Sequence, residues 1–428
     1  MLRHLKLKNV GPADKLELEF AERLNLITGD NGLGKSFLLD IAWWAMTRRW
    51  PGEINSQLVS GRCALPTRSG EASIDFSFTG KIKTEDYVSQ YRPREQAWTG
   101  RAGRPANPGL VFYAMSDGSF AVWDPARNYW HTQNNVDVQE RIPAYVFSPS
   151  QVWDGLKGDD GKRLCLGLVM DWAGWQKEKS PSFDSLKRVL AALSPSESEK
   201  LIPGDLKRIS LDDARDIPTI RMPYGQEVPV LNTSAGLRRI LSLAYVLVWA
   251  WEEHCKAAKL LGELPTKQIV LLVDEVESHL HPQWQRKIIP ALLAVARTLV
   301  KGKKAELQLI AATHSPLIMT SAEPLFDPKQ DAWWDLDLIN GKVKLTRRPF
   351  EKFGDADGWL KSEAFDLPSS RPVEYEALVK EASALLEKNP IDPRAIQTMN
   401  KKLVAALRPS DDFLFNWRYV GRAKGWFK

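Results

Sequence analysis

The alternation of apolar and polar positions marks the first strands of the chain. Residues 3–9 and 16–20 alternate with period two, as in KLELEF, and residues 24–28 (LNLIT) are typical of a buried strand. Residues 35–48 show a helical pattern that must end before Pro51. The start of the chain therefore predicts three strands, a glycine-bearing loop and a helix.

The middle of the chain changes to shorter runs. Between residues 72 and 145, alternating segments are separated by Gly, Pro, Asn and Asp, a pattern that predicts antiparallel strands. Residues 81–104 carry more lysine and arginine than acid and include Pro93, so we expect an exposed basic arm there. Residues 160–215 mix helical and loop patterns, with a charged amphipathic piece at 185–193. This region is too short for a long coiled coil, which needs many sustained heptads.

The second half of the chain alternates helix and strand again. We predict a helix around Ile240, a strand at Gln268–Val273, a helix at 283–300 and a strand at Leu307–Thr313. Trp334–Leu345 (WDLDLINGKVKL) predicts a hairpin, because its Asn-Gly pair favours a tight turn between two strands. The last sixty or so residues are helical in pattern.

These patterns predict an α/β fold with a mixed sheet, an antiparallel β subdomain, a short helical insertion and no long coiled coil. Residues 1–151 would form the N-terminal half of the core together with the antiparallel subdomain and the basic arm. Residues 152–230 would be a helical or lid insertion, and 231–350 the second half of the core. Residues 351–428 would be a helical region that could dock a partner or nucleic acid.

Composition places the protein in a broad class. With 428 residues, 43% of them hydrophobic, the chain can bury a full core. Cys63, Cys165 and Cys255 lie far apart without a CxxC pair, so no disulfide framework or cysteine zinc site is readable. The N-terminus lacks the apolar segment of a signal peptide. The longest apolar stretch, Ile240–Trp251, has twelve residues, whereas a membrane-spanning helix needs about twenty. We expect a cytoplasmic protein without membrane contact.

Charge and aromatic content add possible partners. The net charge of +6 allows contact with nucleic acid without requiring it. Seventeen tryptophans favour deep cores and subunit interfaces. The C-terminal segment Phe413–Lys428 combines four basic and six aromatic residues with no acid. It could stack bases and track phosphates, dock into a partner groove, or pack as a plain helix on the core.

The segment GDNGLGKS carries the first candidate chemistry. Its glycines let the backbone turn so that successive amides, with the N-terminal dipole of the next helix, point at phosphate oxygens. Lys35 would neutralise the β and γ phosphates, and the Ser36 hydroxyl would serve Mg²⁺. The predicted nucleotide-binding residues are Gly29, Asp30, Asn31, Gly32, Leu33, Gly34, Lys35 and Ser36.

A second element brings two carboxylates to the tip of a buried strand. In Gln268–Pro282 (QIVLLVDEVESHLHP), Asp274 would hold the Mg²⁺ shell and Glu275 would polarise the attacking water. An Asp-Glu pair after a strand is common by itself. Its pairing with a phosphate-binding loop earlier in the chain makes it a candidate catalytic centre.

Three further positions complete the candidate site. In TSAGLRR, Ser234 suits an N-cap, Gly236 permits close approach, and the helix N-terminus could bind a γ-phosphate; an ordinary capped core helix is the alternative. In LIAATHSP, His314 could contact the γ-phosphate or the attacking water as a neutral imidazole, or be a satisfied core histidine. Gln151, after AYVFSPS, could link Mg²⁺ to a mobile lobe or be a plain loop residue.

An HxH pair and a DxD motif offer other chemistry. His279 and His281 could be proposed as metal ligands, but no third ligand is evident nearby. We expect their segment to touch a second subunit instead. The DxD at Asp335–Asp337 lies inside the predicted hairpin.

In this order, these motifs resemble the ABC ATPase superfamily. The details look like its SMC and RecF-type branch and, more narrowly, the AAA-type ATPases of prokaryotic antiphage defence such as the Septu ATPase. The resemblance covers about residues 1–50 and 140–320, so segments 1–151 and 231–350 would be the two halves of an ABC ATPase head. By matching motif it implies a Walker A loop (Gly29–Ser36), a Q-loop (Gln151), a signature (Ser234, Gly236), a Walker B pair (Asp274, Glu275), a D-loop (Glu277–His281) and a switch histidine (His314).

The resemblance also implies a mechanism and partners. Two heads would sandwich two ATP molecules with Mg²⁺, so the protein would be a homodimer and could form a higher homo-oligomer. Some relatives carry a C-terminal Toprim nuclease, which needs a glutamate and a DxD at strand ends. The hairpin position of Asp335–Asp337 does not fit that pattern, so we expect no nuclease in this chain and a separate effector, such as a nuclease or another toxin.

Two other function classes stay open on the sequence. A RecF/SMC-like ATPase that binds DNA in repair or recombination would carry the same motifs and the same mild positive charge. A transporter's nucleotide-binding subunit is disfavoured, because the signature reads SAGLR and not LSGGQ.

Overall fold

The computed structural model describes residues 1–68, 70–80, 84–100, 107–128, 130–133, 136–139, 143–158, 160–300, 305–387 and 392–426. The chain divides into two compact units, Met1–Trp359 and Leu360–Lys428. The boundary lies after the predicted position 351, because Trp359 belongs to the first unit. Its side chain is fully buried there, and its indole N–H donates to Glu323 Oε1 (2.6 Å).

The strands are β1 (Leu2–Lys8), β2 (Lys15–Glu19), β3 (Leu24–Gly29), β4 (Ser73–Thr79), β5 (Thr84–Arg92), β6 (Ala97–Trp98), β7 (Leu110–Ala114), β8 (Phe120–Trp123), β9 (Trp130–Gln133), β10 (Val136–Gln139), β11 (Ala144–Phe147), β12 (Leu156–Lys157), β13 (Arg163–Cys165), β14 (Ile202–Pro203), β15 (Thr219–Arg221), β16 (Glu227–Pro229), β17 (Gln268–Val273), β18 (Glu306–Ala312), β19 (Asp331–Ile339) and β20 (Lys342–Arg348).

The α-helices are α1 (Lys35–Thr47), α2 (Pro51–Ile54), α3 (Pro149–Asp154), α4 (Leu168–Lys177), α5 (Pro181–Ala192), α6 (Ala235–Leu260), α7 (Pro282–Gln285), α8 (Ile288–Leu299), α9 (Pro316–Ala322), α10 (Ala356–Leu360), α11 (Val373–Leu386), α12 (Pro393–Ala406) and α13 (Asp412–Ala423). Among the described residues, no helix combines the length and the apolar composition needed to cross a membrane.

An eight-stranded mixed sheet forms the centre of the first unit, in the order β11-β8-β7-β17-β18-β3-β19-β20. Its five middle strands, β7 to β19 in that order, run parallel, and the outer strands β8, β11 and β20 run antiparallel to their neighbours. The predicted hairpin is confirmed as β19–β20, with positive φ at both Asn340 and Gly341. The α/β class and the mixed sheet are as predicted.

The antiparallel region differs from the prediction in two ways. Only β4, β5 and β6 join the separate antiparallel sheet β2-β1-β4-β5-β6, whereas β7, β8 and β11 extend the central sheet. Within the exposed arm expected over 81–104, residues 84–92 and 97–98 pair as strands β5 and β6, and the exposed turn 93–96 joins them. Alternate residues of β5, including Tyr87 and Ser89, are buried, so only one face is exposed. Residues 81–83 and 101–106 lie outside the described residues.

The helix predicted at 283–300 is interrupted, and Pro290 explains why. A continuous helix would need an N–H at this position to bond the preceding turn, and proline has none. Proline is tolerated in a first turn, so α8 begins at Ile288 and the preceding residues form the separate short helix α7.

The predicted insertion 152–230 is partly helical. It contains α4 and α5, together with the small antiparallel sheet β14-β15-β16. Helix α5 carries a buried face that includes Leu186, Val189 and Leu190, in agreement with the amphipathic pattern.

In the second unit, α11, α12 and α13 enclose a small core of their own. On α13, Leu414 and Trp417 face that core, while Phe415 and Tyr419 are 67% and 71% exposed. The tail therefore packs as a helix, and a docking role for its exposed aromatic residues stays a prediction.

Most tryptophans fill the cores, which accounts for their large number without a subunit interface. The buried ones are Trp43, Trp44, Trp50, Trp98, Trp123, Trp172, Trp249, Trp251, Trp333, Trp334, Trp359 and Trp417.

The side chain of Gln308 on β18 joins the central sheet to the antiparallel sheet. Its amide donates to the carbonyls of Leu2 and Ala21, and its Oε1 accepts from the Leu2 N–H, each at 2.8 Å. Gln308 is fully buried. Its amide therefore provides the hydrogen bonds that a neighbouring strand would otherwise give to Leu2.

Replacing Gln308 should destabilise the first unit. We expect Gln308→Leu to leave the buried N–H and C=O of Leu2 without partners and to lower the free energy of unfolding by about 2–4 kcal/mol. Urea unfolding followed by tryptophan fluorescence measures this. Gln90→Leu, at an exposed position of β5, is the matched control, and equal losses in both variants would contradict the expectation.

Candidate functional site

The candidate site lies at the carboxyl edge of the central sheet. β18 pairs in parallel with β17 and with β3, in a register that aligns Ala311 with Val273 and Ala312 with Ile27. Because parallel strands end at one edge, the segments that follow β3, β17 and β18 meet there. These segments hold the predicted Walker A loop Gly29–Ser36, called the P-loop below, together with the Asp274–Glu275 pair and His314. Ligands of open α/β sheets commonly bind at this edge.

The P-loop leaves β3 at Gly29 and enters α1 at Lys35. Gly29 has φ 130°, and a Cβ there would collide with the main-chain oxygen of Leu336 on β19. Gly32 has φ 80°, and a Cβ there would meet nothing within 4 Å. Gly29 is thus required by packing against the sheet, and Gly32 leaves the outer side of the loop open for close approach to the backbone.

The Lys35 ammonium is held inside the loop. Nζ donates to the carbonyls of Gly29 (2.7 Å) and Asp30 (2.8 Å). Burial lowers the pKa of Lys35 to about 8, while the carboxylates of Asp274 and Glu277 act in the opposite direction. The P-loop cation and the carboxylates beyond β17 therefore share one electrostatic site.

Asp274 has an atom available for a cation. Its side chain is buried, and Oδ1 has no hydrogen-bond partner among the described residues. Burial raises the pKa of Asp274, and hydrogen bonding by Ser36 and Ser116 lowers it. Ser36 and Asp274 thus fit a Mg²⁺ ion, which in nucleotide sites takes only one or two protein ligands beside phosphates and water.

Glu275 follows at a left-handed position, with φ 44°, and is half-buried. The left-handed region is uncommon for residues with a side chain, and such outliers concentrate at functional sites. Glu275 lies close enough to influence the pKa values of both Asp274 and Lys35. The predicted catalytic carboxylate is therefore in the same cluster as the P-loop lysine.

His314 is placed by Glu277 of the predicted D-loop. Glu277 Oε1 accepts from the His314 N–H (2.6 Å), and Oε2 accepts from the Thr313 hydroxyl (2.7 Å). Burial and the nearby Lys35 cation lower the pKa of His314. The imidazole is therefore neutral near pH 7, the form that can accept a proton or a hydrogen bond.

The signature segment opens α6. Ser234 is exposed and caps the helix, accepting from the Leu237 N–H (3.3 Å). A Cβ on Gly236 would collide with the carbonyl oxygen of His279, so the helix start lies directly against the D-loop backbone. Residues Thr233, Ala235 and Arg238 line a cleft of about 720 Å³ with residues that follow β7 and begin α3.

The Gln151 side chain is engaged elsewhere. Oε1 accepts from Asn55 Nδ2 (2.6 Å) and from the Ser148 N–H (2.8 Å), the latter as part of a capping box at the start of α3. A Mg²⁺-linking role for Gln151 stays a prediction.

Three residues of the HxH and DxD motifs make contacts within the fold: His281, Asp335 and Asp337. The His281 side chain accepts from the Gln283 N–H and caps α7, while His279 is exposed. No group of three or more metal-ligating side chains occurs within the described residues. Asp335 and Asp337 both pair with Arg348 on β20, at 3.3 and 2.6 Å.

Two residues of the site, the buried Tyr113 and the half-buried Asp40, were not predicted from the sequence. The Tyr113 hydroxyl at the end of β7 donates to Asp40 Oδ1 on α1 (2.9 Å). Burial, with a smaller contribution from the charges of Asp274 and Asp117, raises the pKa of Asp40 to about 7, although the Tyr113 hydrogen bond acts in the opposite direction. The one sequence signal for Asp40 is an acid within the otherwise apolar run that follows Ser36.

Fold and site together define an α/β P-loop ATPase head. Residues 24–320, more than half of the chain, match the family described as "AAA domain, putative AbiEii toxin, Type IV TA system". The protein belongs to this family.

The chain is also similar in sequence to a Septu protein and to a probable retron ATPase. The Septu protein PtuA of Bacillus thuringiensis is 22% identical over 344 residues, which cover 75% of this chain and 74% of PtuA. The "Retron Vc95 probable ATPase" of Vibrio cholerae is 23% identical over 209 residues, which cover 48% of this chain and 37% of that protein.

Solved structures show weaker likeness. The SMC head domain from Thermotoga maritima is 16% identical, with 81% of this chain and 99% of that chain covered and a TM-score of 0.39. The recombination mediator protein RecF is 14% identical, with 81% and 98% covered and a TM-score of 0.36. These scores are too low to bear on the fold, which rests on the strand order given above.

Asp40 should make stability depend on pH. Its folded-state pKa of about 7 lies above its ordinary value of 3.8. Between these values the folded protein holds more protons than the unfolded chain, so stability falls as pH rises. We expect Asp40→Asn to reduce the difference between the melting temperatures at pH 5 and pH 7.5. Asp212→Asn, at an exposed position, is the control, and an unchanged pH dependence in Asp40→Asn would contradict the assignment.

Glu277 should affect turnover more than binding. Glu277→Ala removes both acceptors that hold Thr313 and His314, so we expect kcat for ATP to fall by roughly 10–100-fold, with KM nearly unchanged because the P-loop is intact. Glu277→Gln keeps one acceptor oxygen and should be intermediate. Steady-state phosphate release measures both parameters, and a change in KM alone would argue against this role.

Proposed function

We propose that this protein binds and hydrolyses ATP with Mg²⁺ and acts as a nucleotide-dependent dimerisation switch in an antiphage defence system, where it regulates a separate effector such as a nuclease. The main support is that four predicted site residues lie close together at one edge of the sheet. They are near enough for their charges to influence one another's pKa values: Lys35, Asp274, Glu275 and His314. Ser234, by contrast, is exposed on another element. These positions support a site that would bind phosphate and metal within one copy and take Ser234 from a second copy.

Each residue has a chemical task in this proposal. The P-loop amides and Lys35 would bind the β and γ phosphates, and Ser36 and Asp274 would hold Mg²⁺, which neutralises phosphate charge. Glu275 would orient and polarise the attacking water, and neutral His314 would contact that water or the γ-phosphate. Ser234 of a second copy would contact the same γ-phosphate through its helix N-terminus.

Dimerisation would follow from this geometry. A nucleotide held by the P-loop of one copy and by Ser234 of the other stabilises the closed pair, and its hydrolysis removes that stabilisation. The closed dimer would form only with ATP bound, so a separate effector could distinguish the closed state from the open one. The defence setting is supported by the likeness to a Septu protein and a retron ATPase.

Two variants separate the steps of the proposal. Glu275→Gln should keep ATP binding, lower kcat by at least about 100-fold and accumulate an ATP-bound dimer. Lys35→Ala should lose nucleotide binding and stay monomeric with ATP. Phosphate release and sedimentation velocity measure these outcomes.

Glu197→Gln, at a surface position that is 91% exposed, is the matched control. Wild-type turnover in Glu275→Gln would remove Glu275 from the role of general base. A nucleotide-independent oligomeric state would argue against the dimerisation switch.

The defence role needs its own experiment. Expression with the neighbouring genes of the native operon should protect cells from phage, and the Lys35→Ala variant should abolish protection. Copurification followed by mass measurement should recover a nuclease or another toxin with the protein. Absence of both protection and a bound partner would refute the defence assignment while leaving the ATPase intact.

A further inference from the structure

Arg239 makes contacts that the roles proposed above do not explain. It lies on α6, five residues beyond Ser234, and its guanidinium donates to three main-chain carbonyls. These belong to Met115 (3.0 Å), Ser116 (3.3 Å) and Asp274 (3.0 Å). The first two follow β7 and the third follows β17. One side chain of α6 therefore hydrogen-bonds to the ends of two neighbouring strands at the carboxyl edge of the central sheet.

The surroundings of Arg239 keep it charged and in place. Burial lowers its pKa, and the carboxylates of Asp274, Glu275 and Asp117 act against that shift. A planar guanidinium can serve several carbonyls at once with a fixed geometry, which the single ammonium of a lysine cannot. These hydrogen bonds fix the position of α6 relative to Asp274 directly, in addition to the packing of α6 in the hydrophobic core.

A second contact fixes the same end of α6. Because a Cβ on Gly236 would collide with the His279 carbonyl oxygen, the helix and the D-loop touch backbone to backbone. Glu277 of that loop binds Thr313 and His314 as described above. A continuous set of contacts therefore runs from His314 through the D-loop to α6, and Arg239 closes it at Asp274.

We propose that Arg239 is a positioning residue that couples the two ATP sites of the sandwich. Arg239 fixes the position of Ser234, which would contact the partner's nucleotide, relative to Asp274. Asp274 belongs to the site that binds the nucleotide of the same subunit. This inference rests on the proposed function, since Ser234 meets a second nucleotide only when two copies close on ATP. A change at Asp274 on nucleotide binding is then passed to Ser234, and dimer closure depends on Arg239 although nucleotide binding does not.

The test uses the full chain in the Glu275→Gln background, where hydrolysis does not deplete the dimer. Arg239→Lys is added to it, with Arg297→Lys at an exposed position of α8 as the matched control. Binding of a fluorescent ATP analogue is measured at protein concentrations below dimerisation, and ATP-dependent dimerisation is measured by analytical ultracentrifugation. Melting temperatures report folding.

With Arg239→Lys we expect unchanged affinity for the analogue and a dimer dissociation constant raised at least about tenfold, and with Arg297→Lys no change in either. Dimerisation as tight as in the parent overturns the coupling role. Joint loss of melting temperature, nucleotide affinity and dimerisation also overturns it, because Arg239 would then only support the fold. If Glu275→Gln alone fails to dimerise with ATP, the proposed function itself fails, whatever Arg239 does.

Discussion

Strand β18 lies between β3 and β17 and pairs in parallel with both. The candidate site depends on this pairing, because it carries the P-loop, Asp274 and His314 to one edge although they lie far apart in the sequence. A slip of one residue would turn every side chain of the strand to the opposite face of the sheet. The buried Gln308 amide on β18 also joins the antiparallel sheet to this strand.

The charges at this edge are arranged around a concentration of acids. Burial raises the pKa values of Asp40 and Asp274, while it lowers the pKa values of the buried Lys35 and the half-buried Arg239. Burying charged groups costs free energy unless they are paired or hydrogen-bonded. Perturbed groups of this kind concentrate where a charged ligand or a proton transfer requires them.

The D-loop is the point where the parts of the site meet. Glu275, just before the loop, and His279, within it, adopt left-handed backbone conformations. Its main chain touches Gly236 of α6, and its Glu277 side chain fixes His314. In the proposed dimer, a segment with so many fixed contacts would transmit a displacement between the nucleotide and the second copy, because packed elements move together and do not deform continuously.

The sequence by itself determined the P-loop, the strand before Asp274 and the β19–β20 hairpin. Each depends on local periodicity or turn chemistry that a short segment fully contains. Only the tertiary structure decided that β7, β8 and β11 join the central sheet, that residues 84–92 and 97–98 are strands, and that Gln151 is bound by Asn55. The same holds for the partners of Asp40, Glu277 and Arg239. Their hydrogen bonds join residues distant in the sequence, and no local pattern encodes which strand ends will be neighbours.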